Sequence, residues 1–167
     1  AHNEGNYFCS KDQIKEIEIS ELLPFLSDLN GIERRMDIYK IDDKIIIDDY
    51  AHHPTEIESV FNTINSNYKD KSTSVIFQPH LFSRTRDFME DFATVLSKFD
   101  EVYLLDIYHL FYIYIEGVNS KVLLEKISSA KKEIINKELI NDIIINSKTE
   151  VISILGAGNI TDVDLFL

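Results

Sequence analysis

From Arg35 onward the chain alternates short apolar runs with amphipathic stretches, and this alternation limits the possible folds more than any other feature. Ile45-Ile46-Ile47 and Val75-Ile76-Phe77 read as buried strands, the second spanning residues 73–78, and a helical pattern follows each. After the first, residues 53–68 carry Ile57, Val60, Phe61 and Ile64 at i, i+3, i+4 and i+7, with Pro54 at a first-turn position. After the second, residues 86–99 place Phe88, Met89, Phe92, Val95, Leu96 and Phe99 in one broad stripe, the spacing that helix burial alone demands. Residues 36–41 and 44–48 flank Asp42-Asp43 as a hairpin, and residues 101–107 form a further strand. Residues 120–127 and 138–145 are helix candidates separated by a short apolar piece at Ile134-Ile135, and residues 150–155 read as a buried strand that ends in Gly156-Ala157-Gly158-Asn159. Repeated strand–helix units of this length predict an α/β fold, with a mostly parallel sheet and helices on both faces.

The first 30 residues have a different texture. A polar start with His2, Asn3 and Asn6 leads into Ile17, Ile19, Leu22, Leu23, Phe25, Leu26 and Leu29, which suggest one or two short helices interrupted or restarted at Pro24. This stretch reads as a short helical linker.

Size and charge narrow the function. A chain of 167 residues supports one domain with a full core, and its 44% apolar content fits a globular protein. The formal net charge of −12, from 29 acidic and 17 basic residues, argues against a nucleic-acid partner, which requires a clustered cationic face. The single cysteine rules out an internal disulfide and suits a reducing compartment. No apolar stretch approaches the roughly 20 residues needed to span a bilayer, so the expectation is a cytoplasmic domain, without a membrane partner, cut from something longer. With only five glycines, none in a Gly-x-x-x-x-Gly-Lys-Ser/Thr loop, any main phosphate cradle for ATP must lie outside these residues.

Two strings carry the chemistry. Residues 48–56 read Asp-Asp-Tyr-Ala-His-His-Pro-Thr-Glu, and residues 77–86 read Phe-Gln-Pro-His-Leu-Phe-Ser-Arg-Thr-Arg. Each begins where an apolar run ends, which predicts that both sit at the carboxyl ends of neighbouring strands, where open α/β sheets bind ligands. One crevice could then receive Asp49, Tyr50, His52, His80 and Arg84, a set suited to a small zwitterion with a carboxylate. Adjacent Asp48 and Asp49 serve turns as readily as sites, and a strand-end aspartate can also accept hydrogen bonds from ribose hydroxyls. Ser83-Arg84-Thr85-Arg86 falls where the second helical pattern begins. Cations there oppose the helix dipole, which an anionic ligand would offset, and arginine binds a carboxylate as a planar fork. His52, His53 and His80 lack the spacing of a zinc site, so no metal centre is assigned.

These strings, followed in order by Leu-Gly-Ala-Gly-Asn-Ile at residues 155–160, resemble the carboxyl-terminal domain of the Mur ligases. Gly31-Ile32-Glu33-Arg34-Arg35-Met36 looks like the Gly-Val-Lys-Arg-Arg-Phe that opens this domain in the family, and His2-Asn3 with Asn6 looks like the end of the preceding central domain. The resemblance covers almost the whole chain and divides it into residues 1–30, the end of the central domain and linker, and residues 31–167, the carboxyl-terminal domain. Within the family it is nearest to the branch that joins L-alanine to UDP-N-acetylmuramate in peptidoglycan synthesis.

The resemblance implies a Rossmann-like domain that brings the amino acid and completes an ATP site. It also implies an ATP- and Mg2+-dependent reaction in which a substrate carboxylate is phosphorylated and an amine attacks the acyl phosphate. Arg84 and His80 match positions at the amino-acid carboxylate, and Tyr50 and His52 match positions lining the same pocket. Asn6 matches a residue near adenine, Arg35 one that reaches the phosphates, and Asp49 one that contacts ribose. His52 is the candidate catalytic base for the ammonium proton. The ATPase core and most magnesium ligands would lie in the missing central domain, so these residues alone are expected to be inactive.

Two departures stand out. Position 81 is Leu where many relatives have Arg, and His109-Leu110-Phe111-Tyr112 interrupts a stretch that in the family runs Pro-Ala-Arg-Glu. Alternatives are a related ligase that recycles whole peptides, which shares the first string but departs at the second, and a non-catalytic binding module that lost its ATPase partner.

Overall fold

The computed structural model describes residues 34–108, 114–158 and 160, all within a unit spanning Glu33–Leu167. The expected linker helices, Asn6, the 30/31 boundary, residues 109–113 of the atypical loop and Asn159 lie outside the described residues.

Six strands form one sheet: β1 (Asp37–Ile41), β2 (Lys44–Asp49), β3 (Thr73–Phe77), β4 (Glu101–Leu104), β5 (Lys131–Ile134) and β6 (Val151–Leu155). Their order is β1-β2-β6-β3-β4-β5. The expected hairpin pairs Ile41 with Lys44, and Asp42 takes φ of 53°, a left-handed conformation that aspartate tolerates better than most residues. All other pairings are parallel.

The apolar runs alternate between the two faces of the sheet. Ile45, Ile47, Val75, Phe77, Val102, Leu104, Val151 and Leu155 share one core, and Ile46, Ile76, Tyr103, Ile152 and Ile154 share the other. Helices α1 (Pro54–Asn67), α3 (Met89–Leu96) and α4 (Ser120–Lys126) supply Ile57, Val60, Ile64, Phe92, Val95, Leu96 and Leu123 to the first core. Helix α5 (Ile140–Asn146) supplies Ile140 and Ile144 to the second, where Lys44 Nζ donates to the carbonyls of Ile144 and Ile145 at 2.6 and 2.7 Å. A cation at these last carbonyls complements the helix dipole. None of the described helices is long and apolar enough to cross a membrane.

Three expectations need correction. The helix expected at residues 86–99 starts earlier and is broken: α2 (Phe82–Asp87) ends at Phe88, whose φ of −116° and ψ of 23° leave helical geometry before α3 begins. Its ring meets that of His53 at 4.6 Å, so the break turns an aromatic toward the amino end of α1. Ile134 of the Ile134-Ile135 piece ends β5, an edge strand whose Lys131, Lys132 and Glu133 are exposed, so hydrophobic alternation could not reveal it. Finally, β2 and β3 are not neighbours. Strand β6, last in the chain, pairs with both.

Candidate functional site

The insertion of β6 creates the site. Three parallel strands end side by side, so Asp49-Tyr50 at the end of β2, Gly156-Ala157-Gly158 after β6 and Gln78-Pro79-His80 after β3 share one edge of the sheet. Such an edge, where strand order departs from chain order, is the usual ligand crevice of an open α/β sheet.

The glycines are required by close approach. Gly156 has φ of 150°, and a Cβ there would stand 3.0 Å from the backbone oxygen of Gln78. A Cβ on Gly158 would meet Gln78 Oε1 at 2.7 Å and the Tyr108 ring at 3.0 Å. Arg34 fastens this loop to β2. Its Nε donates to Asp48 Oδ1 at 3.1 Å, Nη1 to the Gly158 carbonyl at 2.6 Å and Nη2 to the Gly156 carbonyl at 2.8 Å. Burial nevertheless raises the Asp48 carboxyl above its ordinary range, outweighing the opposing charge and hydrogen bond of Arg34.

Asp49 is 7% exposed, and its carboxylate accepts from the backbone N–H of Met36 at 2.9 Å and of Ala51 at 2.7 Å. It thereby ties the hairpin entry to the loop that carries the histidines. Arg35 is exposed, and its guanidinium lies 5.7 Å from the Tyr50 ring centroid; among the described residues no carboxylate pairs with it. Arg34 contacts the same ring at 5.8 Å, so two cations flank Tyr50.

Tyr50, His52, His80 and Tyr108 follow one another as a row of rings. Centroid separations are 5.4 Å, 5.9 Å and 5.6 Å, the first two contacts edge-on and the last stacked. Tyr108 reaches this row because the backbone beyond β3 and β4 continues to pair: its N–H donates to the Pro79 carbonyl at 2.8 Å and its carbonyl accepts from Leu81 at 3.2 Å. Leu81 itself has φ of 72°, a left-handed conformation that starts α2 sharply and brings Arg84 back over His80. Arg84 Nη1 lies 3.4 Å from His80 Nδ1. Burial, then the charge of Arg84 and, when protonated, that of His52, hold the His80 imidazole below its ordinary value, so it is neutral at pH 7.

Arg84 is the third residue of α2, as the string suggested, but in a six-residue helix it also lies in the last turn with Arg86, so the helix dipole does not single it out, and Arg86 pairs with Asp87 at 2.7 Å. Arg84 carries the anion-binding case because no carboxylate among the described residues pairs with it.

The two adjacent histidines divide their work. His53 caps α1: its Nδ1 accepts from Thr55 N–H at 3.4 Å, and Glu56 completes a capping box by accepting from His53 N–H at 3.1 Å. His52 faces the row of rings, with its Nδ1 3.0 Å from the Tyr50 carbonyl and 3.4 Å from Glu56 Oε2. Burial tends to raise the Glu56 carboxyl, but the N–H of His52, the charge of His52 and the like contributions of His53 together lower it, so it is ionised. Among the described residues no three His, Cys, Asp or Glu side chains converge to hold a metal ion.

Sequence reasoning thus missed Arg34, Glu56, Gln78 and Tyr108 as parts of the site. Only Glu56 had a local signal, since it sits at the third helical position after a cap and a Pro, where a capping glutamate belongs.

Residues 34–158 match the family model described as Mur ligase, glutamate ligase domain. The chain is 48% identical over 144 residues to a UDP-N-acetylmuramate–L-alanine ligase of Christiangramia forsetii, covering 85% of this chain and 32% of that protein. It is 43% identical over 136 residues to the enzyme of the same name from Flavobacterium psychrophilum, covering 81% and 30%. Among solved structures, the UDP-N-acetylmuramate-alanine ligase of Thermotoga maritima superposes with a TM-score of 0.63 at 25% identity, over 87% of this chain and 31% of that one. The chain spans about a third of the length of the curated relatives it matches. With three quarters of its residues inside the family model and relatives 48% and 43% identical, the chain belongs to the Mur ligase family.

Proposed function

We propose that this chain is the amino-acid-binding, ATP-site-completing part of a longer ATP-dependent ligase that joins L-alanine to UDP-N-acetylmuramate. The observation that carries this reading is Arg84, a guanidinium with no carboxylate partner among the described residues, set beside the neutral His80, whose ring meets that of His52, itself next to Tyr50. Its fork suits the carboxylate of an amino acid. His52 then stands on the other side to receive the ammonium, which must lose a proton before it can attack. Alanine is favoured over a peptide substrate by the identity of the relatives, several of which carry the alanine ligase name.

ATP enters as a second substrate, supplying the phosphoryl group that turns the nucleotide-sugar carboxylate into an acyl phosphate. The exposed guanidinium of Arg35 suits its phosphates. Asp49 keeps lone pairs for ribose hydroxyls beyond the two backbone bonds it accepts. Among the described residues no cluster of His, Cys, Asp or Glu could hold Mg2+, and the resemblance assigns most of its ligands to the central domain of the ligase.

The reading is tested by giving the purified 167-residue chain labelled L-alanine and following Tyr50, His52 and His80 by NMR. Saturable shifts at these residues, reduced in Arg84→Ala, support it, and no shift at any of them at millimolar alanine contradicts it. The chain alone should neither hydrolyse ATP nor form an amide. A reading frame upstream of Ala1 that encodes a Gly-Lys-Thr/Ser phosphate loop supports the ligase, and a start codon adjoining Ala1 favours a binding module.

A further inference from the structure

We propose that the crevice holds its two histidines in opposite tautomers, so that His52 presents a free Nε2 lone pair to the ammonium of the bound amino acid while His80 presents an Nε2–H to its carboxylate, with Glu56 as the positioning residue behind His52. This rests on the reading that an amino acid binds here. It adds how the site tells the two ends of a zwitterion apart.

The assignment follows from what each ring nitrogen faces. His52 Nδ1 lies 3.0 Å from the Tyr50 carbonyl oxygen and 3.4 Å from Glu56 Oε2. A carbonyl and an ionised carboxylate only accept, so Nδ1 carries the hydrogen and the lone pair of the neutral ring is at Nε2. His80 Nδ1 lies 3.4 Å from Arg84 Nη1, and a guanidinium only donates. There the lone pair is at Nδ1 and the hydrogen at Nε2. Neither Nε2 has a hydrogen-bond partner among the described residues. His53, next to His52 in sequence, takes the tautomer of His80 because its Nδ1 accepts the Thr55 N–H.

The charged and titratable groups around the pair are consistent with this division. Among the described residues, Glu56 faces His52 from α1, Arg84 faces His80 from α2, and Arg34 and Arg35 reach the row through the Tyr50 ring. The anionic neighbour is therefore behind the proton acceptor and the cationic one beside the carboxylate donor. In the proposed step, His52 Nε2 takes a proton from the alanine ammonium and frees the nitrogen lone pair. That nitrogen bonds to the acyl carbon of the acyl phosphate, and the carbon–oxygen bond to phosphorus breaks with its electron pair leaving on phosphate. The imidazolium keeps its Nδ1–H on the Tyr50 carbonyl and Glu56, much as an aspartate holds the histidine of a serine hydrolase triad. The phosphate or water then removes the Nε2 proton, and the restored Nε2 lone pair or the departing phosphate takes the second proton that the attacking nitrogen sheds as the amide forms.

Long-range proton–nitrogen NMR on the chain labelled with nitrogen-15 histidine reads the tautomers directly, with single His→Gln variants giving the assignments. The expected result at neutral pH is a protonated Nδ1 in His52 and a protonated Nε2 in His80 and His53. A hydrogen on Nε2 of His52, or on Nδ1 of His80, overturns the proposal. The second arm is Glu56→Gln in the full-length ligase, which keeps the capping box because glutamine also accepts at that position. Its kcat should fall about tenfold or more, within the range of a general-base contribution, while the KM for alanine stays within about threefold. A raised alanine KM with unchanged kcat overturns the role of Glu56. Failure of the underlying reading is distinct: it appears as loss of alanine binding at the crevice altogether, whereas the tautomers are read without any ligand.

Discussion

Arg34 Nε lies 3.1 Å from Asp48 Oδ1, and the same guanidinium holds the carbonyls of Gly156 and Gly158. One side chain thus joins the entry to the sheet, its second strand and the loop after its last strand. The site's shape depends on this clamp, although Arg34 touches neither the histidines nor Arg84 directly. Removing it should act on stability before it acts on chemistry.

Arg34→Ala would leave the buried Asp48 carboxylate and two loop carbonyls unpaired. Losing one partner of such a buried pair costs about 3–5 kcal/mol. Urea unfolding of the variant should show a fall of that order with an unchanged m-value, and a loss below about 0.5 kcal/mol would show that the clamp is idle.

Arg35→Ala should behave in the opposite way. Its side chain is exposed and, among the described residues, meets only the Tyr50 ring, so stability should move by no more than about 0.5 kcal/mol. In the full-length ligase the KM for ATP should rise while that for alanine holds. Asp49→Ala should also raise the KM for ATP, but with a loss of stability, since two backbone N–H groups lose their acceptor. A shift confined to the alanine KM would sink the nucleotide assignment.

Arg84→Ala in the full-length ligase should weaken alanine by about 10- to 150-fold, the equivalent of a charge-assisted hydrogen bond worth roughly 1.5–3 kcal/mol. Binding of UDP-N-acetylmuramate should hardly change. Lysine should rescue only part of the loss, because it keeps the charge without the fork. An unaltered alanine KM and kcat would place the carboxylate elsewhere, with Arg86 the next candidate.

The depressed pKa of His80 gives a pH dependence with a defined sign. The unfolded chain takes up the His80 proton near its ordinary value of 6.5, and the folded chain does so only at lower pH. The native state therefore binds fewer protons across that window, and its stability falls as pH falls. Between about pH 7.5 and about pH 5.5, His80→Gln should lose less stability than the unaltered chain. The Glu56 contribution is lost lower, as pH falls below 4.5 toward the depressed pKa of that carboxyl, so the two effects separate. Equal slopes for the two proteins would remove His80 as the source.

The sequence by itself determined what short-range periodicity can encode. The helix with Ile57, Val60 and Ile64 on its buried face, the hairpin at Asp42-Asp43 and the buried runs at Ile45, Val75 and Val151 all stand where the residue pattern puts them, because each depends on contacts every two or about 3.6 residues. The strings bearing Tyr50, His52, His80 and Arg84 were legible as strand-end chemistry for the same reason. Strand order was not legible. The placement of β6 between β2 and β3 is set by parallel pairing across roughly a hundred residues, and that placement brings Gly156 and Gly158 over Gln78 and into reach of Arg34. Tertiary structure also decided which of two adjacent arginines is half-buried in hydrogen bonds and which of two adjacent histidines is a helix cap. Neighbours in sequence share composition and spacing, and only the acceptor that each side chain meets in three dimensions separates Arg34 from Arg35 and His52 from His53.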